Sequence, residues 1–421
     1  MMDKKLIPVM AFLALYFPSC GLGAALASAE DRQTSNWLQI GDGDDVDGSG
    51  GAAGGDGVMP PGRRSHAMAI DPERNNMLVF GGYGNGSHLG DTWIFGLKNS
   101  TWIKVDSVAS PSPRAATTLV YEQGYKRFVL FGGFNYGHSL VSNETWAFDT
   151  LTDNWINLNS RNPPEARASY GMLYDSKREA VVLFGGFTEK GYFSDIWMYE
   201  PKQNIWRQEM ITGDSSPAPR GAMGFTYDET DDVYVMYGGF SDSGFFGDTW
   251  TFNPTTKTWK EMSPDDHPPL VRTRMVYDSE AGESIFFGGD VAYADTVEAA
   301  VAPYNGVWAY NYSANRWREI SFDEANSPLS RSLNGIAYDP STSSIFIFGG
   351  TDALIDDQNF AGREFGDLWV LPLGADSEIV EPPGSAQGGF PESTIMIIVA
   401  AVTIVGAAGA AATIIFLRRK H

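Results

Sequence analysis

An aromatic residue followed by two glycines recurs six times along the chain, and this repeat constrains the fold more than any other feature. The first glycines of the doublets lie 50 to 61 residues apart, at Gly81, Gly132, Gly185, Gly238, Gly288 and Gly349. A four-stranded antiparallel sheet with its loops uses about 50 residues in repeats of this length. Since such a sheet buries its faces only against neighbouring sheets, the repeats predict one domain rather than six.

Four sequence segments return in the same order around each doublet. A proline-containing turn and an arginine, as at Pro61-Gly62-Arg63, precede the first strand. An apolar run such as Met77 to Phe80 predicts the second, because continuous apolar sequence is typical of a strand covered on both faces. A tryptophan marks the third strand in all six repeats. Another marks the fourth strand in five of them, at Trp102, Trp155, Trp206, Trp259 and Trp317.

The missing fourth strand has a counterpart near the N-terminus. The segment Asn36-Trp37-Leu38-Gln39-Ile40 is similar to the segments that begin at Trp102 and Trp155. We therefore expect it to complete the last sheet and to close the array into a ring, which hides the two edges that an open array exposes. Residues 41–59 then form a linker rich in Gly and Asp inside the domain.

The combination of glycine doublets, paired tryptophans and this period resembles the Kelch repeat, and the resemblance covers residues 36–373. It implies an all-β fold, a six-bladed Kelch β-propeller closed by an N-terminal strand. It does not decide the function. The galactose-oxidase-like Kelch superfamily includes substrate adaptors, cytoskeletal binders, sugar-processing enzymes and an oxidase, so function has to be argued from the site.

Residues 1–29 have the pattern of a secretory signal peptide. Lys4 and Lys5 precede an apolar stretch, and Ala27-Ser28-Ala29 provides the small residues of a cleavage site. We expect the rest of the chain to be exported. An alternative is that Cys20 becomes a lipidated cysteine. Because Cys20 is the only cysteine, cleavage after Ala29 would leave no disulfide in the domain.

The C-terminal region predicts a membrane anchor. After a linker at residues 374–393, residues 394–417 form 24 uncharged residues, enough to span ~30 Å of hydrocarbon. The basic residues within 418–421 predict a short cytoplasmic tail. The expected protein is a single-pass cell-surface protein with an extracellular propeller. The same arrangement also resembles C-terminal sorting signals that are cut and replaced by an anchor.

The charge of the chain limits its partners. A formal net charge of −22 argues against nucleic acid and anionic lipid. An extracellular protein or a glycan is the expected partner, besides the membrane that the C-terminal span would enter. In an exported chain, the sequons provide candidate glycosylation sites at Asn85, Asn99, Asn143 and Asn311.

The arginines that precede the first strands are candidate ligand-binding residues. The connection into a first strand and the connection from second to third strand lie at the same end of an antiparallel sheet, so these arginines are expected at one mouth of the channel. Paired N–H donors there suit carboxylate or phosphate, and some Kelch propellers contact acidic peptides at this position. The candidates are Arg114, Arg167, Arg220, Arg272 or its neighbour Arg274, and Arg331. Alternatively, each arginine bonds loop carbonyls or the acidic residue before the third-strand tryptophan and fastens its own blade.

The loops after the last two doublets depart from the repeat. They hold 16 residues each, whereas the other four hold 8 to 10. Such departures are where we expect a specific ligand to bind, with capping of the channel as the alternative. The candidate residues in these loops are Asp290, Tyr293, Asp295, Tyr304, Asp356, Asp357, Phe360 and Arg363.

Metal binding and catalysis receive little support from the sequence. Asp45, Asp47, Ser49 and Asp56 have the spacing of a calcium loop. Many neighbouring glycines and the lack of flanking helices favour a solvated linker instead. Apart from this calcium possibility no cofactor is expected. No catalytic residue is assigned, because no nucleophile motif, phosphate-binding loop or fixed carboxylate pair is present.

Three hypotheses for the function follow. The first is a surface-anchored propeller that binds a protein or glycan, the second is a sugar-processing enzyme of the epimerase type, and the third is a structural protein of the cell envelope. A deep pocket with a perturbed carboxylate beside an arginine would favour catalysis. A shallow rim of aromatic and charged residues would favour binding.

Overall fold

The computed structural model describes residues 36–41, 59–135, 139–264, 268, 270–292, 301–356 and 359–373. Within these residues the regular structure consists of β-strands and two 3-10 turns, Gln123–Tyr125 and Glu324–Asn326. The prediction of an all-β fold is therefore confirmed. The signal sequence, the candidate calcium residues and the C-terminal span all lie outside the described residues.

The strands of the first half follow the repeats of the sequence. The chain begins with β1 (Leu38–Gly41). The first sheet contains β2 (Ala67–Asp71), β3 (Asn76–Gly84), β4 (Ser87–Gly96) and β5 (Thr101–Val105). The second contains β6 (Thr118–Glu122), β7 (Arg127–Phe131) and, after a small hairpin of β8 (Phe134–Asn135) and β9 (Ser139–Val141), β10 (Thr145–Asp149) and β11 (Asn154–Asn157). The third contains β12 (Gly171–Asp175), β13 (Ala180–Phe184), the hairpin of β14 (Phe187–Thr188) and β15 (Gly191–Tyr192), β16 (Ile196–Glu200) and β17 (Ile205–Gln208).

The second half repeats this order, with longer hairpins in the fifth and sixth repeats. The fourth sheet contains β18 (Gly224–Asp228), β19 (Val233–Tyr237), the hairpin of β20 (Phe240–Ser241) and β21 (Gly244–Phe245), β22 (Thr249–Asn253) and β23 (Thr258–Met262). The fifth repeat has β24 (Leu270–Val271), β25 (Met275–Asp278), β26 (Glu283–Phe287), β27 (Asp290–Ala292), β28 (Val301–Pro303), β29 (Val307–Asn311) and β30 (Arg316–Ile320). The sixth has β31 (Gly335–Asp339), β32 (Ser344–Phe348), β33 (Leu354–Asp356), β34 (Asn359–Ala361) and β35 (Leu368–Pro372).

The described strands form six four-stranded sheets, here called blades, that follow one another around an axis. The innermost strands β2, β6, β12, β18, β25 and β31 each lie beside the next, and β31 lies beside β2. The sixth blade has the order β1-β35-β32-β31, with Leu38 opposite Val370. The N-terminal segment thus pairs with the last repeat.

Each blade is held to the preceding one by a tryptophan of its fourth strand. The indole packs against the aromatic residue before the preceding doublet, with ring centroids 4.8 to 5.2 Å apart. The six pairs are Trp102–Phe348, Trp155–Phe80, Trp206–Phe131, Trp259–Phe184, Trp317–Tyr237 and Trp37–Phe287. Such contacts add to the burial of large apolar area, so the hydrophobic core lies between the blades.

A threonine of the preceding blade completes three of these contacts. The indole N–H groups of Trp155, Trp206 and Trp317 donate to threonine hydroxyls at 2.9 to 3.0 Å. In two other blades Ile196 and Val307 occupy the corresponding positions. Among the residues that the structure describes, the buried indole N–H groups of Trp259 and Trp37 accordingly have no hydrogen-bond partner. Ile196 and Val307 have no side-chain oxygen, so neither can accept a hydrogen bond from the indole that faces it.

Replacing Val307 by Thr should raise the free energy of unfolding by about 1 kcal/mol, because the similarly shaped side chain offers Trp37 an acceptor. Chemical denaturation of the full chain measures the change. The matched control is Thr249→Val, which removes the acceptor of Trp317 and should lower stability by a similar amount or more. If Val307→Thr lowered the free energy of unfolding as much as Thr249→Val does, the missing acceptor at Trp37 would not be what limits stability at this contact.

Among the described residues, no helix has the length and apolar character needed to cross a membrane.

Candidate functional site: the hairpin face and the channel

The glycine doublets bring two sets of loops to one end of the channel, here called the upper face. Both glycines of every doublet have positive φ, for example +64° at Gly81 and +100° at Gly82. A Cβ on Gly82 would lie 2.8 Å from the carbonyl oxygen of Arg64. The backbone therefore reverses here as only glycine easily allows. The residue after the doublet then pairs with the arginine segment of its own blade, as Tyr83 does with Arg64.

Arg63 shows how the arginine of a blade is used. Its guanidinium binds both carboxylate oxygens of Asp91 at 2.8 Å and the carbonyl oxygen of Gly81 at 3.0 Å. Its Nε donates to the carbonyl oxygen of Pro61 at 3.1 Å. Trp93 donates its indole N–H to the same carboxylate at 2.7 Å. One guanidinium thus ties the first-strand segment, the doublet and the third strand together.

The same arrangement recurs in four more blades. The ion pairs, in each of which the arginine is buried, are Arg114–Glu144, Arg167–Asp195, Arg220–Asp248 and Arg331–Asp367. In three of them the guanidinium also lies 3.8 to 4.0 Å from the centroid of a phenylalanine ring. These arginines have at most 2% of their surface exposed. Of the two roles considered from the sequence, the geometry matches the fastening of the blade, and the donors expected for a ligand are already occupied.

The fifth blade lacks this arginine–carboxylate pair, here called the clamp. In the other blades the arginine lies 18 residues before the first glycine, and in the fifth blade that position is Leu270. The acidic partner is replaced as well, by Gly306. The ring of Tyr304 fills the space, since a Cβ on Gly306 would lie 2.2 Å from it. The assignment of Arg272 or Arg274 as the blade-five equivalent is therefore wrong.

Replacing Arg167 by Leu should lower the free energy of unfolding by about 2–3 kcal/mol, because Asp195 and the carbonyl oxygen of Gly185 lose the guanidinium that donates to them in a largely buried site. The double variant Arg167→Leu with Asp195→Gly reproduces the pair found in blade five. It should recover about 1 kcal/mol or more relative to the sum of the single effects. A denaturant double-mutant cycle measures this coupling. Strict additivity of the two substitutions would contradict the clamp.

Arg272 and Asp290 form a separate ion pair in blade five. Nη1 of Arg272 lies 3.1 Å from a carboxylate oxygen of Asp290, which has no exposed surface. Burial raises the pKa of Asp290, and the positive charge of Arg272 opposes the shift. Although this is a perturbed carboxylate beside an arginine, Asp290 does not line the channel cavity. A carboxylate enclosed by protein in this way is not placed to act on a substrate.

The long loops of blades five and six form hairpins that lie next to each other, with β28 beside β33. The hydroxyl of Tyr304 donates to Glu319, and burial raises the pKa of Tyr304 to about 12. The backbone N–H of Arg363 donates to Asp352 at 2.7 Å. Of the remaining candidates, Asp356 lies in β33 and Phe360 in β34, while Tyr293, Asp295 and Asp357 lie outside the described residues. A ligand-binding role for these residues stays a prediction.

The hairpins of the first four blades carry two rows of partly exposed aromatic side chains, here called the aromatic rim. Over blades one and two, Tyr83 packs on His88 and His88 packs on Phe134, with centroids 5.3 and 5.2 Å apart. Over blades three and four the row is Phe187, Tyr192, Phe240 and Phe245, with successive centroids 5.6 to 6.3 Å apart. The sequence showed an aromatic residue after each of these doublets but did not show that they form rows.

Charged groups continue the rim toward blade six. Arg64 pairs with Glu364 and stacks over Tyr83, with its Cζ 4.4 Å from the ring centroid. The guanidinium of Arg363 lies 4.4 Å from the ring of Phe365. The pair of Arg64 with Glu364 joins the first and last repeats, so sequence spacing alone did not reveal it. The upper face is thus a shallow surface of aromatic and charged residues.

A cavity of about 490 Å³ occupies the channel below this face and is lined by the inner strands of all six blades. Arg272 and Arg274 both line it. In the other five repeats the position of Arg274 holds a small residue, namely Ala67, Thr118, Gly171, Gly224 or Gly335. Aligning the repeats by their doublets would have revealed this exception in the sequence.

The described residues contain no cluster of three or more His, Cys, Asp or Glu side chains that could hold a metal ion. The sequon residues Asn85, Asn99 and Asn143 are exposed, and Asn311 is partly exposed. Whether they carry glycans stays a prediction.

Comparison with known proteins identifies the repeat. A family model described as the Attractin/LZTR1 beta-propeller matches residues 77–358. Tip elongation aberrant protein 1 of Schizosaccharomyces pombe is 27% identical over 213 residues, which cover 48% of this chain and 18% of the relative. Mei4-dependent protein 6 of the same yeast is 22% identical over 343 residues, covering 74% and 48%. An F-box/kelch-repeat protein of Arabidopsis thaliana is 25% identical over 356 residues, covering 75% and 72%.

The chain thus spans less than half the length of either yeast relative. The matches confirm that the repeats are of the Kelch type.

Proposed function

We propose that this chain, which belongs to the Attractin/LZTR1 family of Kelch-type β-propellers, is a cell-surface module that binds a protein partner on its upper face. The observation that carries the proposal is the aromatic rim with its adjoining charged pairs. Aromatic residues and arginine are the types enriched where binding energy concentrates in protein interfaces. The six blades in a closed ring support a six-bladed propeller as the rigid platform for this face.

The buried clamps favour binding over catalysis. Because the guanidinium donors are used within the blades, they hold the hairpins in place without being available to a substrate. The carboxylate of Asp290 is enclosed by protein. A rigid surface lowers the entropy cost of ordering loops on association. These features support a preformed docking surface. None of them favours the sugar-processing alternative.

Substitution of the rim should abolish capture of the partner. In the full chain expressed at the surface of its host cells, Tyr192→Ala with Phe245→Ala should reduce crosslinked partner at least about tenfold, since each removes a large contact surface. The control is Tyr125→Ala with Leu151→Ser, which alters exposed side chains in turns at the opposite end of blade two. Unchanged capture by the rim variant, or equal loss in the control, would contradict the proposal. Loss of capture after deglycosylation of the cells alone would indicate a glycan ligand instead.

The surface location is a separate part of the proposal and rests on residues 1–29 and 394–417. A signal sequence followed by the domain, an apolar stretch and basic residues is the pattern of a protein anchored with its domain outside. We expect a membrane-impermeant biotin reagent to label Lys202 and Lys257 on intact cells, whereas an epitope added after His421 should be detected only after lysis. Labelling of the propeller that required lysis would refute this location.

A further inference from the structure

Arg274 lies inside the channel, where it belongs neither to the clamps nor to the upper face. Arg274 immediately precedes β25 and lines the cavity, at a position where the other five inner strands carry Gly, Ala or Thr. Its Nη2 donates to the carbonyl oxygen of Thr117 at 3.1 Å. Thr117 belongs to blade two and Arg274 to blade five, which are opposite in the ring. The guanidinium therefore reaches across the axis.

The two ends of the cavity differ. Above Arg274 the backbone forms a hydrogen-bonded arc through five of the six blades, here called the axial circuit. In it the N–H groups of Ser65, Ala116, Ser169 and Ala222 donate at 2.7 to 2.9 Å to the carbonyl oxygens of Leu333, Ser65, Ala116 and Ser169 respectively. These residues share φ values of 53° to 56°. The axial circuit joins these chain segments around the axis at the upper end of the cavity. The other end, here called the lower mouth, is lined by the strand ends and turns that include Tyr121, Tyr227 and Tyr277.

Arg274 has no carboxylate partner among the described residues, whereas Arg272 beside it is neutralised by Asp290. Guanidinium carries five N–H donors, and those of Arg274 make only one hydrogen bond to the part of the chain that the structure describes. Glu229 lines the cavity but belongs to a turn at the lower mouth. That turn follows β18, which lies beside β25, and five residues at the rise of a strand place its backbone about 16 Å along the strands from that of Arg274. A cation that is deep in the protein and lacks a counter-charge is costly, so an anion from outside would stabilise it.

The nearby titratable groups supply no negative charge. Burial, together with the charges of Arg63 and Arg274, lowers the pKa of His66 well below its ordinary value, so His66 is neutral at pH 7. Burial raises the pKa of Tyr170 to about 12. Burial also lowers the pKa of Arg274 to about 10, which leaves it charged at neutral pH. The upper end of the cavity is therefore electropositive although the chain as a whole is strongly acidic.

We propose that Arg274 is the receptor for one small oxyanion, a carboxylate or phosphate group, that enters the channel from the lower mouth. The guanidinium offers the paired donors that fit either group, and the cavity is large enough for a molecule of a few heavy atoms with its water. The site lies on the opposite side of the axial circuit from the aromatic rim. It is therefore independent of the protein partner proposed above.

Calorimetric titration of the full-length protein in detergent, in a buffer free of other small oxyanions, tests the site with inorganic phosphate and with malonate. We expect at least one of them to bind with one site per chain, and Arg274→Met to weaken it about tenfold or more. Arg207→Met is the matched control, because Arg207 is a half-exposed arginine on β17 that pairs with Glu200. It should bind the anion as the unchanged protein does.

A stability measurement separates an anion receptor from a structural tie. Without oxyanions, Arg274→Met should be at least as stable as the unchanged protein, because it removes an unneutralised charge. Added anion should raise the unfolding temperature of the unchanged protein and not that of the variant. If neither anion bound, or if both proteins responded equally, the proposal would be overturned. Binding of an acidic peptide in place of either small anion would also overturn it.

Discussion

The packing of each fourth-strand tryptophan on an aromatic residue of the preceding blade is the contact on which the rest of the structure depends. No blade covers its own faces, so every apolar residue of the second strands is buried by a neighbour. The six core clusters accordingly lie between successive blades. Removing one blade would expose two such faces. The ring is therefore a single cooperative unit, and the pair between Trp37 and Phe287 is as necessary as any internal one.

The arginine clamp explains how each blade that has it holds its loops in place. Bidentate pairs with buried guanidinium groups fix the doublet and the start of the third strand in four blades. The hairpin that connects the doublet to the third strand is therefore held at both of its ends. In blade five both charged residues are replaced, the arginine by Leu270 and the acidic residue by Gly306, and the ring of Tyr304 packs in the space beside Gly306. A paired loss avoids an uncompensated buried charge, which would cost far more than the loss of the bond. Blade six, by contrast, keeps its clamp of Arg331 with Asp367 although its loop is equally long.

Much of the fold was predictable from the sequence, because the doublets and tryptophans are physical requirements of the blade. Only glycine takes the φ of Gly82, and only a large apolar ring fills the gap that Trp37 occupies. The error in blade five arose because Arg272 lies two residues from the true position and has the expected residue type. Arg274 was considered only as an alternative to Arg272, because local spacing does not show that it lies in the channel and contacts Thr117 of blade two. The pairing of Arg64 with Glu364 joins distant repeats, which local spacing does not reveal.

The pairing of β1 with β35 has a consequence for how the chain is made. Leu38 and Val370 are about 330 residues apart in sequence. During synthesis β1 therefore cannot pair until β35 has been made. Contacts of such long range are slow to form. Until they form, the interblade surfaces of the first and sixth blades are open to solvent and to other chains. A nascent chain would therefore depend on protection until its last strand emerges, and truncated products would be prone to aggregate through the edge that β1 normally covers.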